Sequence, residues 1–190
     1  MIVLIDNGHG KETSGKCSPD GRLREYSYTR EIANRLEKAL REREIQCVRI
    51  TPEDADISLG ERCRRANKYG ENAILVSIHC NAAPPNDGKW HYARGWEAWT
   101  SVGQTKADKL ATCLYEAAGR AGFKLRKDET DGDPDKERHL YILKHTICPA
   151  VLTENLFQDN REDVDYLLSE LGKQAIINIH VDGIINYLKG

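Results

Sequence analysis

Hydrophobic and polar positions along this chain switch repeatedly between two periods. A short continuous apolar run at residues 2–5 and largely apolar runs at 45–50, 73–78 and 149–153, with a further one at 96–100, read as short strands. Between them, residues 23–43 carry Tyr28, Ile32, Leu36, Ala39 and Leu40 at helical spacing, which predicts a long amphipathic helix. Leu59, Cys63 and Ala66 mark a second helix with Ser58 placed to cap it. Thr105 and Asp108 form a capping-box pattern ahead of Leu110, Leu114 and Ala118, and Gly122 closes that helix. Asn160 is placed to cap a helix carrying Val164, Leu167 and Leu171, and Ile176, Ile177, Val181, Ile184 and Leu188 predict a final one. Strand-then-helix order predicts an α/β fold: a mixed, mostly parallel sheet with helices on both faces, in one domain over residues 1–190.

Two polar stretches interrupt this order. Residues 84–94 open with Pro84-Pro85-Asn86-Asp87-Gly88, and residues 124–139 contain Asp131-Gly132-Asp133-Pro134, both loops by turn chemistry. Each is a solvated connection or a shaper of the substrate site.

Composition narrows the partner class. The 28 Lys and Arg against 30 Asp and Glu leave a net charge of -2, without the basic excess of nucleic-acid binders. No stretch has the length and apolarity of a membrane span, so no membrane insertion is expected. The opening apolar run is too short for a signal peptide, so synthesis in the cytoplasm is expected. The six cysteines are scattered without a C-x-x-C pair and are expected to be reduced and structural.

Three of the strand-like runs lead into chemistry-bearing residues. The first runs into Asp6-Asn7-Gly8-His9-Gly10, the second ends Ser77-Ile78-His79-Cys80-Asn81, and the third ends Thr153-Glu154-Asn155. In parallel strands the carboxyl ends share one sheet edge, where open α/β folds bind ligands. That edge would gather His9, His79 and Glu154, and Gly8 and Gly10 would let the backbone turn sharply around His9. Alternation sets Ser77 and His79 opposite Ile74, Val76 and Ile78. Glu25, at the start of the long helix, is a fourth candidate. Two histidines and a carboxylate form a common catalytic zinc set. Taken singly, each has a plainer reading: a hydrogen-bonded histidine, a glutamate complementing the helix dipole, a glutamate paired with an arginine.

In these motifs the sequence resembles the zinc-dependent N-acetylmuramoyl-L-alanine amidases, the single-domain α/β catalytic units of bacterial autolysins and phage endolysins. The resemblance runs over nearly the whole chain: the glycine-bracketed His9, Glu25 ahead of a long helix, and Arg62 and Ala66-Asn67 before Ser77-Ile78-His79-Cys80-Asn81. It continues through Gly95-Trp96-Glu97 and Pro149-Ala150-Val151-Leu152-Thr153-Glu154-Asn155, with Phe157 and Asn160. Thr29 stands where the family usually carries an asparagine, and Asn155 where a different residue is common.

The resemblance implies zinc held by His9, Glu25 and His79, with Glu154 as the catalytic acid-base residue. It implies hydrolysis of the amide between N-acetylmuramic acid and L-alanine, with bacterial peptidoglycan as the partner. The chain is then a phage-type lysin or a domain of an exported protein. Asp6 and Glu97 are candidates to orient the histidines. Alternatives in view are another zinc peptidase or deacylase, and an inactive wall-binding module. His91, His145 and His180 read as structural, and His139 as a possible substrate contact.

Overall fold

The computed structural model describes residues 1–190. Its elements run β1 (Ile2–Asn7), α1 (Glu25–Arg41), β2 (Cys47–Arg49), α2 (Leu59–Asn67), β3 (Ala73–Asn81), β4 (Trp96–Thr100) and α3 (Lys106–Arg120). They continue as β5 (Lys136–Glu137), α4 (Tyr141–Lys144), β6 (Ala150–Phe157), α5 (Arg161–Leu168) and α6 (Glu170–Lys189). The strands form one sheet in the order β2-β1-β3-β6-β4-β5. Every pairing is parallel except β4 with β6. This is the mixed, mostly parallel α/β sheet that the alternating pattern predicts.

Strand alternation divides the core into two. Val3, Ile5, Ile74, Val76, Ile78 and Val151 pack against α1, α3, α5 and α6 in the larger cluster. Leu4, Ala73, Leu75, Ala150 and Leu152 face the other way, under Cys63 and Ala66 of α2 and Ile142 and Leu143 of α4. Since α2 has nine residues and α4 four, they cover only part of that second face. Continuing the same parity along β1, β3 and β6 brings out Asp6, Ser77, His79 and Glu154 where this cover ends.

The caps behave as their residue types dictate. Ser58 accepts from Glu61 N, Thr105 and Asp108 make the reciprocal capping box, and Asn160 accepts from Asp163 N. All six cysteines are free thiols, Cys47 and Cys80 buried within strands.

Several boundaries differ from the pattern. β3 and β6 run past the expected residues 78 and 153, so His79 and Glu154 lie inside strands and not at their ends. The ladder between them holds to the His79–Glu154 pair, and a bulge follows before Asn81. The stretch before His145 reads as strand-like but forms α4, whose Ile142 and Leu143 bury against the smaller core. Part of the 124–139 loop forms β5 at the sheet edge. Leu171 belongs to α6 and is exposed, because the extended Ser169 ends α5 and caps α6 through Gly172 N.

Candidate active site

The structure brings His9, Glu25 and His79 together: one donor atom from each lies within 4.8 Å of the other two. Their elements make this possible. His9 follows β1, Glu25 opens α1, and His79 lies near the carboxyl end of β3. Glu25 Oε1 is 3.2 Å from His79 Nδ1 and accepts the Cys80 backbone N–H at 3.0 Å. Its Oε2 accepts no hydrogen bond and lies 3.4 Å from His9 Nε2. The two imidazoles meet edge to face with centroids 5.1 Å apart.

The glycines around His9 act differently from the expectation. The left-handed residue is His9 itself, at φ 60°, an unusual conformation for a side chain of that size. Gly8 provides space: a Cβ there would sit 2.5 Å from His79 Nδ1. The strained turn is held by two buried arginines. Arg62 donates to the carbonyls of Asn7 (2.6 Å), His9 (3.2 Å) and Ile57 (2.7 Å), and to Asp6 Oδ1 (2.9 Å). Arg30 donates to the His9 carbonyl at 3.0 Å and to the Glu53 carbonyl at 2.8 Å. Arg30 is not singled out by the sequence, because an arginine one turn along an amphipathic helix reads as solvated surface. Thr29 donates to the Gly8 carbonyl at 3.2 Å, so this departure from the family pattern also supports the turn.

Of the two carboxylates considered for orienting the histidines, Asp6 reaches one through a relay. Its Oδ2 accepts the Ser77 hydroxyl at 2.5 Å, and Ser77 Oγ lies 3.2 Å from His79 Nε2. Glu97 does not touch either histidine. It pairs with Arg126 and Lys136, both at 2.7 Å, and accepts from Asn81 at 2.8 Å. Asn155 ties the site to the core: its side chain accepts from Trp96 Nε1 at 2.9 Å and donates to the His79 carbonyl at 3.0 Å.

Burial and charge act in opposition here. Burial pulls His9 down to about 4 despite the neighbouring Glu25 carboxylate. Burial also opposes a charged His79, yet the hydrogen bond and charge of Glu25 leave it raised. Burial would raise Glu25, but His79 and His9 hold it below the usual carboxylate range. Burial pushes Glu154 up to about 8; His79 pulls against it, and the Glu25 and Glu97 charges add to the rise. Glu154 Oε2 is buried and accepts no hydrogen bond.

Two hollows meet at His9, His79, Leu140 and Leu152. One, about 540 Å³, adds Asp56, Ile57, Leu59, Arg62 and Tyr141. The other, about 440 Å³, adds Lys16, Glu25, Pro84, Pro85 and Glu154. The 84–94 loop thus contributes to the wall. Lys16 is a cation at the site that sequence reasoning missed, since a lone lysine in a turn carries no signal. The remaining histidines lie elsewhere: His91 pairs with Asp87, His145 stacks on Tyr141, His180 is buried against Thr153, and His139 is exposed.

Comparison with known proteins identifies the family and the fold. The model of the N-acetylmuramoyl-L-alanine amidase family matches residues 3–186. The endolysin of Bacillus phage SPP1 is 30% identical over 191 residues, 98% of this chain and 66% of its own. N-acetylmuramoyl-L-alanine amidase CwlM of Bacillus licheniformis is 30% identical over 187 residues, 96% of this chain and 66% of its own. The chain therefore spans just under two thirds of those relatives. The crystal structure of N-acetylmuramoyl-L-alanine amidase from Clostridium difficile 630 superposes with a TM-score of 0.86 at 26% identity, covering 100% of this chain and 97% of that one. The catalytic domain of CwlV, an N-acetylmuramoyl-L-alanine amidase from Bacillus (Paenibacillus) polymyxa var. colistinus, shares the fold at a TM-score of 0.81 and 22% identity, over 99% and 98% of the two chains. With a family model spanning nearly every residue from β1 to α6, the chain belongs to the N-acetylmuramoyl-L-alanine amidase family.

Proposed function

We propose that this chain hydrolyses the amide joining N-acetylmuramic acid to L-alanine in bacterial peptidoglycan, using zinc held by His9, Glu25 and His79, with Glu154 as the acid-base residue. The observation that carries this reading is the convergence of two imidazoles and a carboxylate within 4.8 Å, beside Glu154, whose Oε2 is buried. The donor set fits zinc: nitrogen and oxygen ligands, and a Glu25 Oε2 that accepts no hydrogen bond inside the protein. Bound zinc supplies Lewis acidity, polarising an amide carbonyl and lowering the pKa of water to about 7.

The chain's own groups do the rest. Glu154 Oε2, without a hydrogen-bond donor, takes a proton from the attacking water and returns it to the departing alanine nitrogen. Ser77 and Asp6 hold the far side of the His79 ring, fixing its orientation. Arg62 and Arg30 hold the His9 turn, so that its imidazole is positioned before substrate arrives. The two hollows meeting at His9 and His79 leave room for the polymer on either side of the scissile amide. No helix is long and apolar enough to cross a membrane, and the proposed site of action is the cell wall.

Bond specificity tests the reading. Digestion of purified peptidoglycan should release new L-alanine amino groups without new reducing sugar ends. New amino groups on any other residue instead would identify a peptidase of different specificity.

A further inference from the structure

Lys16 stands beside the reacting groups and is paired with none of them. Its backbone is fixed at two points: its carbonyl accepts the Glu25 N–H at 3.0 Å, and the next residue, Cys17, bridges antiparallel to Arg24. The half-buried side chain lines the hollow of about 440 Å³ that also holds Glu25, His79 and Glu154. Its charge is felt at both His9 and Glu154, pulling each of them down.

The ammonium makes no ion pair, whereas Lys127, Lys136 and Lys173 each hold a glutamate, at 3.1, 2.7 and 2.9 Å. Glu154 does not satisfy it, since its Oε2 is buried and without a donor. A half-buried cation in a site hollow, free of any protein carboxylate, is placed for an anion that arrives with substrate. The second hollow offers no such cation. It holds the exposed Leu59 and Tyr141, and its Arg62 is engaged by Asp6 and by the Asn7, His9 and Ile57 carbonyls.

We infer that Lys16 binds a carboxylate of the stem peptide and so sets which peptides the site accepts, an inference that rests on the amidase reading. The two sides of the scissile amide differ in charge. The muramic acid carboxyl is consumed in the amide and the neighbouring sugars are uncharged, whereas residues beyond the L-alanine carry free carboxylates. The anion therefore lies on the peptide side. That places the stem peptide in the Lys16 hollow and the sugars against Leu59 and Tyr141. Lys16 is then a specificity residue, and the proton transfers stay with Glu154.

Two N-acetylmuramyl-L-alanyl peptides test this, identical except that the residue after L-alanine carries a free carboxylate in one and a carboxamide in the other. The matching L-alanyl peptides, which lack the scissile bond, are titrated into zinc-loaded protein by calorimetry. The unaltered protein should favour the carboxylate form about tenfold in kcat/KM, through KM, and about tenfold in affinity for the L-alanyl peptide. Lys16→Gln should lose both preferences and Lys16→Arg should keep them. Arg24→Gln, which removes an exposed cation of the same turn, should keep them too. An unaltered protein without either preference, or a Lys16→Gln variant that retains them, would overturn the role of Lys16 and leave the amidase reading standing. An equal loss in Arg24→Gln would overturn it as well, by reducing the effect to overall charge. Muramyl peptides left uncleaved, with a binding preference that Lys16→Gln abolishes, would end the amidase reading and keep the carboxylate site.

Discussion

His79 and Glu154 stand opposite one another in register on the parallel strands β3 and β6, and both line the same hollow. A metal ligand and an acid-base residue far apart in sequence are thereby held by one backbone ladder. Their spacing is set by the sheet, while Glu25 comes to them from the first turn of α1.

Glu154→Gln keeps the shape of the side chain and removes its capacity to take a proton. Release of L-alanine amino groups should fall by about two to four orders of magnitude, with zinc content unchanged. A variant that keeps both its zinc and near-normal turnover would remove Glu154 from the reaction.

Gly8→Ala tests whether the glycine before His9 is there for space. The added Cβ would meet His79 Nδ1 at 2.5 Å, so the ring must move off Glu25. Metal affinity, read by competition with a chromogenic chelator, should drop about 10- to 100-fold. An unchanged affinity would mean that the turn relaxes without disturbing the ring.

Arg62→Met leaves Asp6 buried without its cation and the Asn7 and His9 carbonyls without donors. A loss of about 3–5 kcal/mol is expected in urea unfolding. Adding Asp6→Asn should return part of it, because the uncompensated charge is then gone. If the single variant loses less than about 1 kcal/mol, the pair does not hold the turn.

His180 sets an acid limit that is unconnected with the metal ligands. Its Nδ1 donates to the Ile176 carbonyl at 2.7 Å, Thr153 Oγ1 lies 2.9 Å from Nε2, and burial pulls the ring down to about 4 from 6.5. The unfolded chain therefore binds a proton across this window that the folded chain refuses. The contribution is intact above pH 6.5 and is lost as pH falls toward 4, by up to about 3 kcal/mol. His180→Gln should flatten this part of the stability–pH curve relative to the unaltered protein, and parallel curves would contradict the assignment.

Much of the fold was legible because both periods are clean: the apolar runs of β1 and β3 and the helical spacing of α1 report burial directly. The carboxyl-edge rule carried His9, His79 and Glu154 to one place; Glu25 stood only as a fourth candidate, since a glutamate at a helix start has an ordinary electrostatic explanation, and the resemblance gave it the ligand role. Strand lengths were misread at residues 78 and 153, where polar site residues continue a buried strand and break the apolar signal. Ile142 and Leu143 are too few to distinguish helix from strand by periodicity, so α4 was missed. Arg30 and Asn155 act through backbone carbonyls, partners that leave no trace in sequence.

The central claim is that His9 and His79 meet on one metal ion. Elemental mass spectrometry of the purified protein, beside His9→Ala and His79→Ala, tests it most directly. The account predicts about one zinc per chain, lost in each variant while far-ultraviolet circular dichroism keeps its folded shape. Zinc retained in either variant, or absent from the unaltered protein after zinc supplementation, would contradict it.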